Sequence, residues 1–292
     1  MSVENLQAAK AAKADEFYTQ LEDIERELKH YRAFFSGKIV YCNCDDNSSN
    51  FVKYFKEHFD ELGLKKLLYS GYKITPSGVD KSTGDFRSAE CIELLKEADV
   101  VVTNPPFSLF REFVAQLMHY QKFFVILGNK NAITYKEIFP LIQKNKMFVG
   151  YTSMSKEIYF HVPQKYIDAG LAANKDRTIV KIEGEYVSRS ASIWFTNIPL
   201  KKQNEELPLV CSYYENPERY PKYDNYDAIE VSKTADIPCD YFGEMGVPIT
   251  FMDKYNPAQF ELLKYIRGGQ LGKRWTYKRL IIRQRGLKST ST

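Results

Sequence analysis

The stretch DVVVTNPPFSLFREFVAQLMHY, residues 99–120, decides the fold. Residues 99–103 form a short, strongly β-branched run, the pattern of a strand buried on both faces. Two consecutive prolines then make a rigid turn, and a helix capped by Ser108 is expected to run to about Tyr120. KFFVILGN (122–129) follows at once as another buried strand. Strand–helix–strand alternation of this kind calls for a mostly parallel sheet covered by helices, an α/β class.

The same alternation extends upstream. KIVYCNC (38–44) reads as a strand, followed by the polar turn DDNSSN. An amphipathic helix carrying Phe51, Phe55, His58 and Leu62 comes next, closed by Gly63. KKLLYSGY (65–72) reads as a second strand, and a loop with Pro76, Gly78 and Gly84 leads to a helix capped by Ser88. Ahead of these strands, Phe17, Leu21, Ile24, Leu28, Tyr31 and Phe35 form one apolar helical stripe. Thr19 and Glu22 make a T-x-x-E capping box that predicts a start near Thr19, with Asp15–Thr19 as a lead-in loop. Downstream, Thr134 and Glu137 form a second such box, and MFVGY, EIYFHV, IVKIEGEYV and ASIWFTN read as four further strands.

Texture changes near residue 200. Prolines recur at 199, 208, 217, 221, 238, 248 and 257, tyrosines crowd residues 213–226, and helical periodicity returns only at NPAQFELLKYI. The expected organisation is two domains, 1–199 and 200–292.

Composition narrows the class. The 292 residues are 44% hydrophobic and 27% charged, which excludes disordered, collagenous and disulfide-scaffold chains. No apolar run reaches the ~18 residues of a membrane span, and the N-terminal residues have neither signal nor transit character. Five scattered cysteines, with no C-x-x-C pair and no histidine at zinc spacing, predict reduced thiols, no metal site and a cytoplasmic location. The formal charge of +4 conceals an asymmetry. Residues 264–292 hold nine Lys and Arg and no acid, which leaves the first 263 residues at −5. A basic strip on an acidic body points to an anionic partner met in one place.

In such sheets ligands lie beyond the carboxyl ends of the strands, where CDDNSSN, GNKNA and NPPF fall. In NPPF the prolines remove two donors and fix the loop. The Asn104 side-chain oxygen and the Pro105 carbonyl remain as acceptors beside the flat ring of Phe107. That set suits a planar ligand bearing an amino group. Four letters alone favour a Pro-Pro stop with a core phenylalanine; the strand context and the upstream strings reverse that preference.

With these residues in view, the chain resembles the adenine-specific DNA methyltransferases, most closely the EcoRI-type modification methylases. The resemblance covers nearly the whole chain, through DEFYTQL, VVTNPPFSLFREFVAQL, NAITYKEIFPLI, WFTN, PKYDNYDAI and GVPITFMDKYNPAQFE. It implies a Rossmann-like, seven-stranded S-adenosylmethionine-dependent methyltransferase sheet in residues 1–199. It also implies a C-terminal target-recognition, DNA-binding region in 200–292. The implied reaction moves a methyl group from S-adenosylmethionine to the exocyclic amino group of adenine in double-stranded DNA, with the base flipped out. By resemblance Asn104, Pro105, Pro106 and Phe107 form the catalytic loop. Phe17, Tyr18 and Thr19, with Glu16, match the motif that closes over the donor's methionine part. Asp85 and Phe86 match the motif that holds the donor's adenine. Trp194 and Phe195 fall near the motif that holds the flipped base, although strand alternation lets only one of them face a pocket.

Two departures stand out. CNCDDNSSN (42–50) occupies the place of the glycine-rich first motif without a glycine, and either Asp45 or Asp46 is left to bind the donor's ammonium group. After the second strand the usual acidic ribose ligand is missing, and Tyr72 or Lys73 stands there. In the basic tail, Lys273, Arg274, Lys278, Arg279 and Arg283 are the expected DNA contacts; the alternation there reads either as an edge strand kept from aggregating or as a strand with one face in the core and one on DNA. A cognate restriction endonuclease is a partner in function and not of necessity in contact; a phage or solitary role is equally open. Two other readings stay open here: an RNA-adenine or protein-amide methyltransferase of the same fold, and an inactive nucleic-acid-binding relative.

Overall fold

Strand β2 (Ile39–Asn43) is buried along its whole length, as is β6 (Val100–Thr103). In the computed structural model they are neighbours in a six-stranded sheet. The structure describes residues 18–71, 73–75, 78–80, 84–162, 179–182 and 184–286. The other members of the sheet are β3 (Lys66–Ser70), β7 (Phe123–Asn129), β8 (Phe148–Val149) and β12 (Ser192–Thr196), in the order β3-β2-β6-β7-β12-β8. The first four strands run parallel; β12 is antiparallel to both neighbours. The chain leaves β2 toward one edge and returns on its other side as β6. The carboxyl ends of β2 and β6 therefore flank the point where strand order reverses, the place where open α/β sheets hold ligands.

The helices follow their caps. Helix α3 (Asn50–Glu57) is capped by Ser49, whose hydroxyl accepts from Phe51 N, and α4 (Ala89–Glu97) by Ser88, which accepts from Cys91 N. Gly37 and Gly63 take φ of 71° and 61° at helix ends, a conformation that suits glycine. Three expected caps do not form. Tyr18–Thr19 is strand β1, so helix α1 (Leu21–Leu28) starts two residues late with no side-chain cap at Gln20. The same stripe then continues through a 3-10 turn (Lys29–Tyr31) into α2 (Arg32–Phe35), and Ile24, Leu28, Tyr31 and Phe35 are all buried. Ser108 lies inside a 3-10 turn (Phe107–Leu109), and helix α5 (Phe110–His119) begins after it. Thr134 ends a 3-10 segment and donates back to Asn131 O, while helix α6 (Phe139–Gln143) starts beyond Glu137. At Thr19 a tertiary contact, the pairing with Phe160, competed with the local hydroxyl cap; at Thr134 the hydroxyl turns back to Asn131 O within its own segment.

The four downstream strands are also divided differently. Only MFVGY and ASIWFTN join the main sheet, as β8 and β12, and the sheet has six strands among the described residues where seven were expected. EIYFHV supplies β9 (Ile158–His161). IVKIEGEYV is a hairpin of β10 (Ile179–Ile182) and β11 (Glu185–Ser190), turned at Gly184 with φ 93°. These three form a separate antiparallel sheet with β1, in the order β1-β9-β11-β10. Two short strands, β4 (Lys73–Thr75) and β5 (Gly78–Asp80), pair with each other.

The chain divides into two compact units, residues 1–139 with 147–198, and 140–146 with 199–292. The second unit holds a four-stranded sheet of β13 (Ile229–Glu230), β14 (Met245–Pro248), β15 (Phe260–Ile266) and β18 (Arg279–Gln284), ordered β13-β14-β18-β15. A hairpin, β16 (Gln270–Leu271) and β17 (Arg274–Trp275), sits between β15 and β18 in sequence. The expected helix at NPAQFELLKYI is strand β15. Its short apolar run fits either period, and pairing with β18 across a bulge between Leu262 and Lys264 decides it. Strand β18 is interior, not an edge, with Leu280, Ile281 and Ile282 buried. Gln143 donates to the carbonyls of Leu262 and Leu263, which ties residues 140–146 into this unit. No helix among the described residues is long and apolar enough to cross a membrane.

Candidate active site

The Asn104–Phe107 loop begins where β6 ends. Thr103 is fully buried, and its hydroxyl donates to the Asn43 carbonyl at the end of β2. Asn104 follows, with its side-chain oxygen buried and without a hydrogen-bond partner. An orphan acceptor of this kind costs about 1–3 kcal/mol, which the fold accepts only where something else meets it. At the end of β2, the buried Asn43 amide also has an unpartnered Nδ2, a donor. Pro105 is buried, and Pro106 accepts from Leu109 N at 3.0 Å, closing the turn. The Phe107 ring lies 6.3 Å from that of Phe160 on β9, tilted by 43°. Phe160 is in turn paired with Thr19 on β1, whose carbonyl accepts from Asn50 Nδ2 at 2.8 Å. Thr19 Oγ1 is buried and unpartnered as well. So Thr19 on β1, Asn43 at the end of β2 and Asn104 after the end of β6 each present an unmet buried polar atom within one unit. Phe17 lies outside the described residues, as do the side chain of Tyr18 and all of Tyr72; of Lys73 only the backbone is described.

The glycine-free loop works by two substitutions. Cys44, not Asn or Asp, takes the left-handed conformation, with φ 70°. Close approach is supplied from the next strand, because a Cβ on Gly71 would fall 2.3 Å from Asp46 Cβ and 2.6 Å from Asp46 N. The two aspartates have different surroundings. Asp46 Oδ1 accepts from the backbone and hydroxyl of Ser48. Asp45 is buried between Ser49 Oγ and Thr103 Oγ1, each at 2.5 Å. Thr103 has one hydroxyl hydrogen and faces two oxygens, the Asn43 carbonyl and Asp45. The carbonyl can only accept, so both contacts are met when Asp45 carries a proton. Burial agrees, pushing the Asp45 carboxyl up to about 7 against the hydrogen bonds of Ser49 and Thr103, with the Asp46 charge adding to the rise.

Asp85 is half-buried, and both its oxygens are taken by the Arg87 guanidinium, which holds the carboxyl below its ordinary value. Phe86 packs edge-on to Phe113 at 5.0 Å and is 2% exposed, so the expected stacking face for the donor's adenine is not open. Trp194 and Phe195 are both fully buried, on opposite faces of β12. Trp194 meets Phe51 at 6.0 Å and Phe195 meets Phe110 at 5.3 Å. Both rings are packed in the core, because β12 is covered on both sides.

Glu27 was not singled out by sequence. It is fully buried, accepting from Tyr31 OH and from the backbone of Tyr151 and Thr152 at 2.6–2.8 Å. Gly150 admits it, since a Cβ there would fall 2.3 Å from Glu27 Oε1. A glutamate beside an apolar helical stripe reads as solvated, and only the fold reveals its partners. In the second unit Arg279, an expected DNA contact, is buried and paired with Glu230 at 2.7 Å. Arg283 pairs with Glu244 and Glu261. Lys273 and Arg274 are exposed and make no ion pair among the described residues; Lys278 is half-buried.

A parallel sheet that gathers unpartnered amide groups at its reversal point, beside a donor-free Pro-Pro loop and a ring, has the build of an amino-group methyltransferase. Comparison with known proteins is specific. The adenine-specific methyltransferase EcoRI family matches residues 5–83 and 78–291. The chain belongs to that family, and its activity is site-specific methylation of adenine in DNA. It is 47% identical to the Type II methyltransferase M.EcoRI of Escherichia coli, over 90% of this chain and 89% of the relative. It is 42% identical to M.MpnI of Mycoplasma pneumoniae (87% and 83% covered) and 41% identical to M.MgeORF184P of Mycoplasma genitalium (87% and 84%), both Type II methyltransferases. No solved structure matches the chain.

Proposed function

We propose that methylation runs through the Asn104–Phe107 loop with S-adenosylmethionine as donor and duplex DNA as substrate. The observation that carries this is the buried, unpartnered Asn104 oxygen at the end of β6. The adenine amino nitrogen is a weak nucleophile because its lone pair is delocalised into the ring. Accepting its two hydrogens at Asn104 Oδ1 and the Pro105 carbonyl localises that pair. Phe107 gives the extruded base a stacking face. The donor, when bound, supplies a methyl group already activated on a sulfonium, so the loop's task is position and no strong base is needed.

Within the first unit the 44–50 loop is the site that fits the donor. Asp46 is the partner for its ammonium group, because Asp45 is neutral when its hydrogen bonds are met. Asp45 and Thr103 are positioning residues that lock the donor loop to the residue preceding Asn104. Asn43 Nδ2 offers a donor toward the same space, and Asp85 offers an acceptor shared with Arg87. A Rossmann-like cofactor role for residues 1–199 and target recognition by 200–292 complete the reading. The exposed cations Lys273 and Arg274 serve the phosphates.

Purified protein with methyl-labelled donor should label adenine in duplex DNA and not in RNA offered in competition. Absence of transfer to any duplex, with donor bound, refutes the reading. Labelling of RNA alone moves it to the RNA class.

A further inference from the structure

Two large aromatic side chains stand out of the second unit next to each other. Trp275 is 60% exposed and Tyr277 91%, while Thr276 between them is buried. They are not on a loose loop. Thr276 exchanges hydrogen bonds with Gly269, backbone N to Gly269 O at 2.9 Å and Gly269 N to Thr276 Oγ1 at 2.8 Å. The turn is pinned from the other side as well. Gln270 N donates to Asn225 Oδ1 at 2.8 Å and Gly272 N to Asp224 Oδ2 at 2.6 Å. Asn225 Nδ2 reaches Gly268 O at 3.2 Å, and Leu271 packs on the cluster of Tyr223, Ala228 and Ile281. Glycines are needed at 268 and 269. A Cβ would fall 2.7 Å from Thr276 O at the first and 2.1 Å from the Tyr223 ring at the second. The fold therefore spends two glycines and a buried threonine on holding two rings in water.

The surroundings say what the rings meet. Lys273 and Arg274 are exposed on the same hairpin and unpaired among the described residues, and residues 264–292 contain no acid. An anionic partner with flat apolar faces answers both features. A nucleic acid has phosphates for the cations and bases for the rings.

We propose that the 270–277 hairpin is a DNA-contacting element in which Trp275 and Tyr277 stack on bases of the distorted duplex while Lys273 and Arg274 neutralise phosphates. This rests on duplex DNA being the substrate. The two halves of the hairpin do different work. The cations supply a salt-sensitive share of the affinity, and the rings a salt-insensitive share.

The full-length protein reports on this directly, because it has two tryptophans and Trp194 is buried. Acrylamide-quenchable emission therefore comes from Trp275, which Trp275→Phe verifies. Adding a short duplex that carries a methylated site should shield that emission. Trp275→Ala and Tyr277→Ala should each weaken duplex binding about tenfold (~1.4 kcal/mol) with an unchanged salt slope. Trp275→Phe should retain most of the affinity. The double variant Lys273→Ala/Arg274→Ala should instead reduce the slope of log K against log salt by about 2. Unchanged thermal unfolding separates these effects from misfolding. If the duplex is bound and methylated while Trp275 stays fully quenchable, the inference falls and the methyltransferase reading stands. If no duplex is bound or methylated, both fall. Shielding that follows protein concentration without DNA assigns the rings to self-association and overturns the inference.

Discussion

Each unit holds a satisfied buried carboxylate, Glu27 in the first and Glu230 in the second, but they differ in the buried polar groups left unmet. In the first, Thr19, Asn43, Asn104 and Thr152 each keep a buried side-chain atom with no partner. In the second, Glu230 is surrounded. Arg279 meets it from two nitrogens, Ser232 donates at 3.0 Å, and the Tyr223 hydroxyl donates as well. Burial alone would raise the Glu230 carboxyl, but the Arg279 and Tyr223 hydrogen bonds outweigh it and hold it below its ordinary value. Of the eight unpartnered buried atoms among the described residues, only Gln284 Oε1 lies in the second unit. The lesson is that a satisfied buried charge belongs to the scaffold, whereas a cluster of unmet valences at a sheet's carboxyl edge waits for a ligand.

The comparison can be broken by mutation. Arg279→Ala strips a buried carboxylate of its partner and should cost about 3–5 kcal/mol of stability. Denaturant unfolding would show it. A stable variant with a reduced salt slope for DNA would instead return Arg279 to the phosphate contacts. Asn104→Ala should do the reverse, lowering methyl transfer on the order of 10²–10³-fold while leaving Tm nearly unchanged. Single-turnover transfer checks the first and calorimetry the second; a large fall in Tm with intact transfer would make Asn104 a structural residue.

Asp45 tests the boundary between the two behaviours. Burial raises its carboxyl to about 7, above the ordinary value of 3.8, so the folded protein holds the proton more tightly. The sign follows: this contribution to stability is full below about pH 4 and is lost as pH rises to 7, at about 1.4 kcal/mol per pH unit. Asp45→Asn cannot lose that proton and should flatten stability across this window; an unchanged pH profile would show Asp45 to be ionised. The smallest effect is expected at Gly71→Ala, about 1–3 kcal/mol from overpacking against Asp46. Weaker donor binding should accompany it, measured by titration calorimetry, while duplex binding is retained.

The parallel half of the sheet was legible because β2, β6 and β7 are continuous apolar runs, and such runs have one stable place in an α/β fold. The placement of Asn104 and Phe107 just past the end of β6 was legible for a related reason, since a Pro-Pro turn at a strand end fixes its own geometry. Capping signals succeeded where the hydroxyl had no competitor, as at Ser88, and failed at Thr19, where pairing with Phe160 drew the backbone into a strand.

What the sequence determined by itself was therefore local: strand identity, the rigid loop, the family, and the charge split between body and tail. Partnership was set by the folded chain. It took the fold to bury Arg279 against Glu230, to turn Trp194 and Phe195 into covered core, to put Asp45 and Thr103 on one proton, and to hold Trp275 and Tyr277 in solvent. The physical reason is that residue type and spacing set what a side chain can do. The free energy of doing it depends on which groups, distant in the chain, arrive within hydrogen-bonding or van der Waals reach.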